Sequence, residues 1–231
     1  MRRTSLFCTA AAALTFTACS EPDPPLRLTP YAFRLAGTDS VFHWPISSLP
    51  VRFYAEPVGR LPQYVRDGVL AWQRQLLYGE FRGTLVEDSA AADVIVMLEG
   101  SPPPDAPLTN DPIRTVCEGF TFLPSRVADA SGTTRLAARI RIQVRSFPGV
   151  DSTDAQNCLA VVTMHELGHA LGLLRHSDDP IDLMYDEPRV RSPSLRDQST
   201  LQRLFHTATD IWPWDAAASA APPGRAADVI H

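Results

Sequence analysis

The sequence predicts an α/β or α+β domain. It has a mixed sheet of four to five strands, a helix backing that sheet, a long buried helix beneath it and an amphipathic helix at the end. Three observations carry this reading. Apolar periodicity switches between a period of two and one near 3.6 along the chain. Residues 94–98, Val-Ile-Val-Met-Leu, form an unbroken apolar run of the kind found in partly parallel central strands. Residues 158–171 are apolar almost all round at helical spacing, which marks a buried helix.

The elements follow in order. Val51-Arg52-Phe53-Tyr54-Ala55 alternates and reads as the first strand, with Pro57, Gly59 and Pro62 marking the turn after it. Over residues 61–78, Val65, Val69, Trp72 and Leu76 recur at spacings of three and four, so this stretch reads as a helix that Gly79 stops. Residues 81–87 read as a short strand and 92–99 as a strand buried on both faces. Residues 100–115 form a loop rich in proline and aspartate, and 119–123 form a strand stopped by Pro124. After a turn at 129–132, residues 135–145 alternate, with Leu136, Ala138, Ile140, Ile142 and Val144 on one face and mostly arginines on the other. That arginine face reads as a solvated sheet face rather than an anion site. A loop over 147–157 leads into the helix at 158–171. A last helix over 194–205 turns Leu201, Leu204 and Phe205 inward.

The 231 residues hold 45% apolar side chains, enough for one buried core. The net charge of −5, with both signs interspersed, argues against nucleic acid as a partner. Residues 1–19 read as a targeting segment: Arg2 and Arg3 are followed by an apolar stretch too short to span a bilayer. It ends Phe16-Thr17-Ala18-Cys19-Ser20, which resembles a bacterial lipoprotein signal with Cys19 as the lipidated residue. Phe16 stands where leucine is usual, and ordinary signal cleavage is the alternative. Both imply export to the cell envelope, lipid-anchored at the outer membrane or surface, or otherwise periplasmic or secreted. Residues 20–40 read as a proline-rich tether and 207–231 as a disordered alanine- and proline-rich tail. Cys8 leaves with the signal. Cys117 and Cys158 remain, either as a disulfide, which suits an oxidising compartment, or as two buried thiols.

Within the buried helix the sequence reads His165-Glu166-Leu167-Gly168-His169. Helical residues four apart share a face, so His165 and His169 can hold one metal ion, with Glu166 beside a water bound to it. A catalytic zinc takes three protein ligands and keeps one position open. Gly172 can adopt the left-handed conformation that ends a helix and turns the chain back, and His176 then lies where it can close the site. Zinc lowers the pKa of its water, and Glu166 is placed to take a proton from it.

This segment resembles the metzincin zinc peptidases, most of all their matrixin branch, whose motif is H-E-x-x-H-x-x-G-x-x-H followed by a methionine turn. The resemblance spans about residues 41–206. Trp44-Pro45, the Val51 strand, the Trp72 helix, the Ala92-Asp93-Val94 strand and the helix from Asp197 to Phe205 fall where matrixins have similar elements. It implies one catalytic Zn2+ on His165, His169 and His176, with Glu166 as general base and Met184 as the turn methionine. It further implies a peptide or protein substrate held in extended form along the strand at 119–123, and a side-chain pocket walled in part by Tyr185. One departure stands out. Gly172 and His176 are separated by three residues instead of two, which puts Arg175 at the usual ligand position. The distance from His176 to Met184 keeps the family's spacing, so His176 is the expected ligand, with Asp178 or Asp179 in reserve. Glu187 is the ligand in an alternative metallopeptidase arrangement that the methionine turn argues against. No inhibitory cysteine motif precedes the domain and no second histidine cluster accompanies it. Asp105, Asn110 and Asp111 offer oxygens for calcium, but a solvated loop is the simpler reading. A competing functional reading is a catalytically weak metzincin-like zinc protein that binds peptides or a partner at the envelope.

Overall fold

The computed structural model describes residues 28–129, 131–215 and 228–230. The expected signal segment, Cys19 and the first part of the tether lie outside them, as do residues 216–227 and 231 of the expected tail.

The main sheet has six strands: β1 (Val51–Ala55), β2 (Gly83–Val86), β3 (Val94–Leu98), β4 (Cys117–Leu123), β7 (Ile140–Ser146) and β8 (Asp228–Ile230). Their order across the sheet is β2-β1-β3-β7-β4-β8. The β1–β2, β1–β3 and β3–β7 pairs are parallel, while β4 runs antiparallel to both of its neighbours. A separate two-stranded ribbon is made by β5 (Arg126–Ala128) and β6 (Thr134–Leu136). The expected single strand at 135–145 is therefore two. Ala137 donates its N–H to the Ser125 carbonyl and Leu136 to that of Trp212, which keeps β6 out of the main sheet before the chain enters β7. In β3, Val94 and Val96 are buried but Ile95, Met97 and Leu98 are only half-buried, so one face of the sheet is covered more thinly than an all-apolar run suggests.

Three helices complete the domain: α1 (Leu61–Gln73), α2 (Ser152–Leu171) and α3 (Leu195–Phe205). Helix α1 stops short of the expected residue 78, and Leu76 turns back into the core. Helix α2 starts six residues before the expected Cys158, because Asp151 accepts hydrogen bonds from the Thr153 and Asp154 N–H groups and caps it. Fifteen of its residues are buried, consistent with a helix packed on α1 and on the inner face of β4 and β7. Trp72 of α1 donates its indole N–H to the Met164 carbonyl of α2, and Trp44 donates to that of Ala170. Among the described residues no helix is long and apolar enough to cross a membrane.

Two expected boundaries need correction. Residues 28–40 are not a free tether: Tyr31, Phe33 and Leu35 alternate into the core, and the Phe33 carbonyl accepts the Leu174 N–H. Residues 207–215 are not disordered: Ile211 is 1% exposed, its N–H bonds the Val41 carbonyl, and Trp212 returns to bond Thr134. A few large apolar side chains supply burial that the average composition of these segments conceals.

Candidate metal centre

Helix α2 carries His165 and His169 on one face, and Gly172 ends it at φ +114°. A side chain at Gly172 would run into the Phe42 carbonyl oxygen, so only glycine fits this turn. Leu173 and Leu174 then bury themselves, Arg175 stays exposed, and His176 comes back over the helix. The three residues between Gly172 and His176 are used by the fold. The Leu174 N–H bonds Phe33, and the Leu173 carbonyl accepts a hydrogen bond from His169 Nδ1 at 2.5 Å.

All three imidazoles are oriented through Nδ1. His165 Nδ1–H donates to the Leu183 carbonyl at 2.8 Å, and His176 Nδ1–H faces the Asp186 carboxylate at 3.2 Å. A carbonyl only accepts, which assigns the proton to Nδ1 of His165 and His169 and leaves Nε2 as a lone pair. The three Nε2 atoms converge, separated by 3.1, 3.1 and 3.3 Å. Lone pairs that close repel one another unless a cation lies between them. A tetrahedral ion with Zn–N distances of about 2.0–2.1 Å sets its nitrogens roughly 3.3–3.4 Å apart, so the donor set fits zinc in both chemistry and spacing. Burial pushes the His165 pKa down to about 3 and that of His169 well below its ordinary value, which keeps both rings neutral and available as ligands.

Glu166 is 1% exposed beside this cluster, and burial raises its pKa to about 8, against the lowering effect of a hydrogen bond from Thr121. The Thr121 hydroxyl, on the inner face of β4, donates to Glu166 Oε2 at 2.7 Å. Two residues earlier, a Cβ on Gly119 would meet Glu166 Cγ at 2.6 Å and Oε1 at 2.7 Å, so the strand passes against the carboxylate only because glycine is there. Cys117, on the same face, forms a disulfide with Cys158 of α2. The inner face of β4 is thus fastened to α2 by a covalent bond, a close approach and a hydrogen bond in successive alternate residues.

Below the histidines, Met184 is fully buried and packs against Gly168. Its turn is tied to the His176 segment by the Ser177 N–H to the Met184 carbonyl at 2.7 Å. Asp197, the N3 residue of a capping box with Ser194, accepts the Leu183 N–H at 2.7 Å and the Met184 N–H at 3.3 Å, and takes a further bond from the Tyr31 hydroxyl. Buried Asp182 joins the hydroxyls of Ser177 and Ser194.

A cavity of about 210 Å3 opens beside Glu166, between Gly119 and Phe120 of β4, Val162 and His165 of α2, and the segment Asp186, Glu187 and Pro188. Tyr185 does not line it, contrary to expectation. Its N–H is held by the Asp182 carbonyl, its ring lies under Arg189, and the three residues after it form the wall. None of the reserve ligands joins the histidine cluster: Asp178 pairs with Arg196 at 2.7 Å, Asp179 accepts the Ile181 N–H at 3.1 Å, and Glu187, although it borders the cavity, pairs with Arg189 at 3.0 Å. Asp105 faces Arg60, and Asp111 accepts from the Thr109 hydroxyl. Among the described residues the three histidines are the one group of side chains placed to hold a metal ion. Thr121, Gly119 and Asp186 escaped the sequence reading because each acts on a residue of another segment, and the Leu173 carbonyl because its position depends on the turn at Gly172. Asp197 left a signal, the S-x-x-D capping pattern at 194–197.

Residues 89–205 match the family model described as matrixin. The match begins just before β3 and ends at the last residue of α3, and it includes all three histidines, Glu166 and Met184. No curated protein matches the chain.

Proposed function

The chain belongs to the matrixin family of zinc metallopeptidases, and from that premise we propose that it is a zinc-dependent endopeptidase whose general base is Glu166. The observation that carries the reading is the convergence of three Nε2 lone pairs beside a buried carboxylate that a second element holds in place. His165, His169 and His176 would hold the ion, which when bound supplies a Lewis acid and lowers the pKa of the attacking water. Glu166 would take a proton from the attacking water and pass it to the leaving amine. Thr121 restricts the carboxylate to one orientation. The backbone of β4 aligns an extended peptide by strand addition, and the cavity beside Glu166 receives one of its side chains. Leu183, Leu173 and Asp186 orient the histidines through Nδ1.

The direct test is to measure zinc content and cleavage of casein and of varied peptides with the mature protein. Glu166→Gln is expected to keep zinc and lose at least about a hundredfold in kcat, the scale of general-base contributions. His176→Ala is expected to lose zinc and activity together. Full activity in His176→Ala overturns the ligand assignment. A wild type that holds zinc and cleaves nothing favours the peptide-binding reading.

The same proposal includes export and lipidation at Cys19, supported by the basic start, the apolar stretch and the Thr17-Ala18-Cys19-Ser20 sequence. Labelling with a radioactive fatty acid, lost in Cys19→Ser, tests the anchor. Soluble, unlabelled protein outside the cytoplasm shows simple signal cleavage instead.

A further inference from the structure

Strand β8 lies on the outer edge of β4, antiparallel to it, with Asp228 opposite Leu123, Val229 opposite Phe122 and Ile230 opposite Thr121. That is the same strand whose inner face holds Glu166 through Thr121 and Gly119. The antiparallel direction carries β8 from the far end of β4 towards the Glu166 end. Val229 and Ile230 also border a cavity of about 440 Å3 whose wall includes Leu35, Leu174, Arg175 and His176. Ile230 packs against the core there, while Val229 is 44% exposed. β8 therefore combines three properties of a bound peptide: main-chain pairing with β4, aliphatic side chains in a groove, and a path that approaches a histidine of the metal centre.

We propose that β8 is an intramolecular ligand of the peptide cleft: the β4 edge beside His176 takes an extended aliphatic segment, and residues 228–230 of this chain compete with substrate for it. The inference rests on the reading of β4 as the substrate strand. A three-residue strand pairs weakly on its own. Its attachment to the domain supplies an effective concentration in the mM range, enough to raise the apparent KM severalfold, up to about tenfold, while leaving the chemical step alone. The inhibition this gives is graded, and a peptide with better side chains for the groove displaces the strand.

The test compares full-length wild type with a Val229→Pro/Ile230→Pro variant, both zinc-loaded. It adds a free octapeptide with the sequence of residues 224–231. Proline removes main-chain donors from β8 and leaves the histidines, Glu166 and β4 untouched. The expected result is a severalfold lower KM in the variant, equal kcat and equal zinc content, with competitive inhibition by the octapeptide that is stronger in the variant than in wild type. Unchanged KM and no inhibition, with cleavage intact, overturn this inference and leave the peptidase reading standing. If neither protein cleaves any peptide, hydrogen exchange at the β4 amides decides. Protection of residues 121–123 by the octapeptide in the variant upholds the ligand role while the peptidase reading falls, and no protection overturns both.

Discussion

At the residue scale, Thr121 decides how well Glu166 is aimed. Its hydroxyl reaches a carboxyl group that is 1% exposed, and leaving a buried acceptor without its partner costs about 1–3 kcal/mol. Thr121→Val is expected to lower kcat by about 10- to 100-fold with KM and zinc content unchanged, and Thr121→Ser to restore most of it. Steady-state kinetics check this, and an unchanged kcat in the valine variant removes Thr121 from the machinery. Gly172 is a second pivot. Alanine there would have to hold φ +114° and press on the Phe42 carbonyl, so Gly172→Ala is expected to destabilise by at least about 1–3 kcal/mol in urea unfolding and to weaken zinc retention by shifting Leu173. The glycine is legible in the sequence as a helix stop. The Phe42 carbonyl that makes it irreplaceable is not, because it comes from a segment 130 residues earlier in the chain.

At the scale of elements, α2 and β4 behave as one unit. Their disulfide closes a separation of 41 residues, for which loop-closure entropy gives at most about 4 kcal/mol. Reduction, or Cys117→Ala with Cys158→Ala, is expected to lower the unfolding free energy towards that limit and to raise KM, because the substrate strand then loses its fixed distance from the metal helix. A stability loss with unchanged KM confines the bridge to a structural role. Burial on α2 also sets the pH response of the metal-free protein. His165, held at about 3, and His169, held well below its usual value, stay neutral in the fold, while in the unfolded chain they take up protons below about 6.5. Stability therefore falls as pH drops below that value. Glu166, raised to about 8, keeps a proton in the fold that the unfolded chain releases above 4.5, so its effect lowers stability as pH rises from 4.5 to 8. Below 6.5 two histidine protons outweigh one carboxyl proton, and above 6.5 only the carboxyl proton counts. Chelated protein is expected to be most stable near pH 6.5 and to lose stability on either side. Urea midpoints at pH 5.5, 6.5 and 7.5 check it, and a steady rise through 7.5 contradicts it.

For the molecule as a whole, the metal centre draws on distant parts of the chain. Phe33 and Tyr31 arrive from before β1, Thr121 from β4, and Asp197 from α3. Chelation is therefore expected to loosen the whole domain: at a zinc concentration a thousand times its dissociation constant the ion adds about 4 kcal/mol, seen as a fall in Tm with EDTA that zinc reverses. The segment after α3 belongs to the same body. Ile211 is 1% exposed against residues 41–42, and Ile211→Ala is expected to cost about 2–4 kcal/mol in urea unfolding. A loss below about 0.5 kcal/mol there returns the segment to the status of a loose tail.

The sequence by itself determined the fold class, the order of most elements, the family resemblance and the local motif from His165 to Met184. These depend on spacings of two and four residues, which strand and helical periodicity convert directly into shared faces, and on a helix-ending glycine that turns the chain back before His176. Only the tertiary structure decided what lies across those faces. It put Thr121 on Glu166, the Leu173 and Leu183 carbonyls on the ring nitrogens, a sixth strand on β4, and the segments at 28–40 and 207–215 into the core. The physical reason is the reach of the interactions. A hydrogen bond or a buried methyl acts over a few ångströms of space, and residues that meet at that distance here are separated by up to 171 positions in sequence.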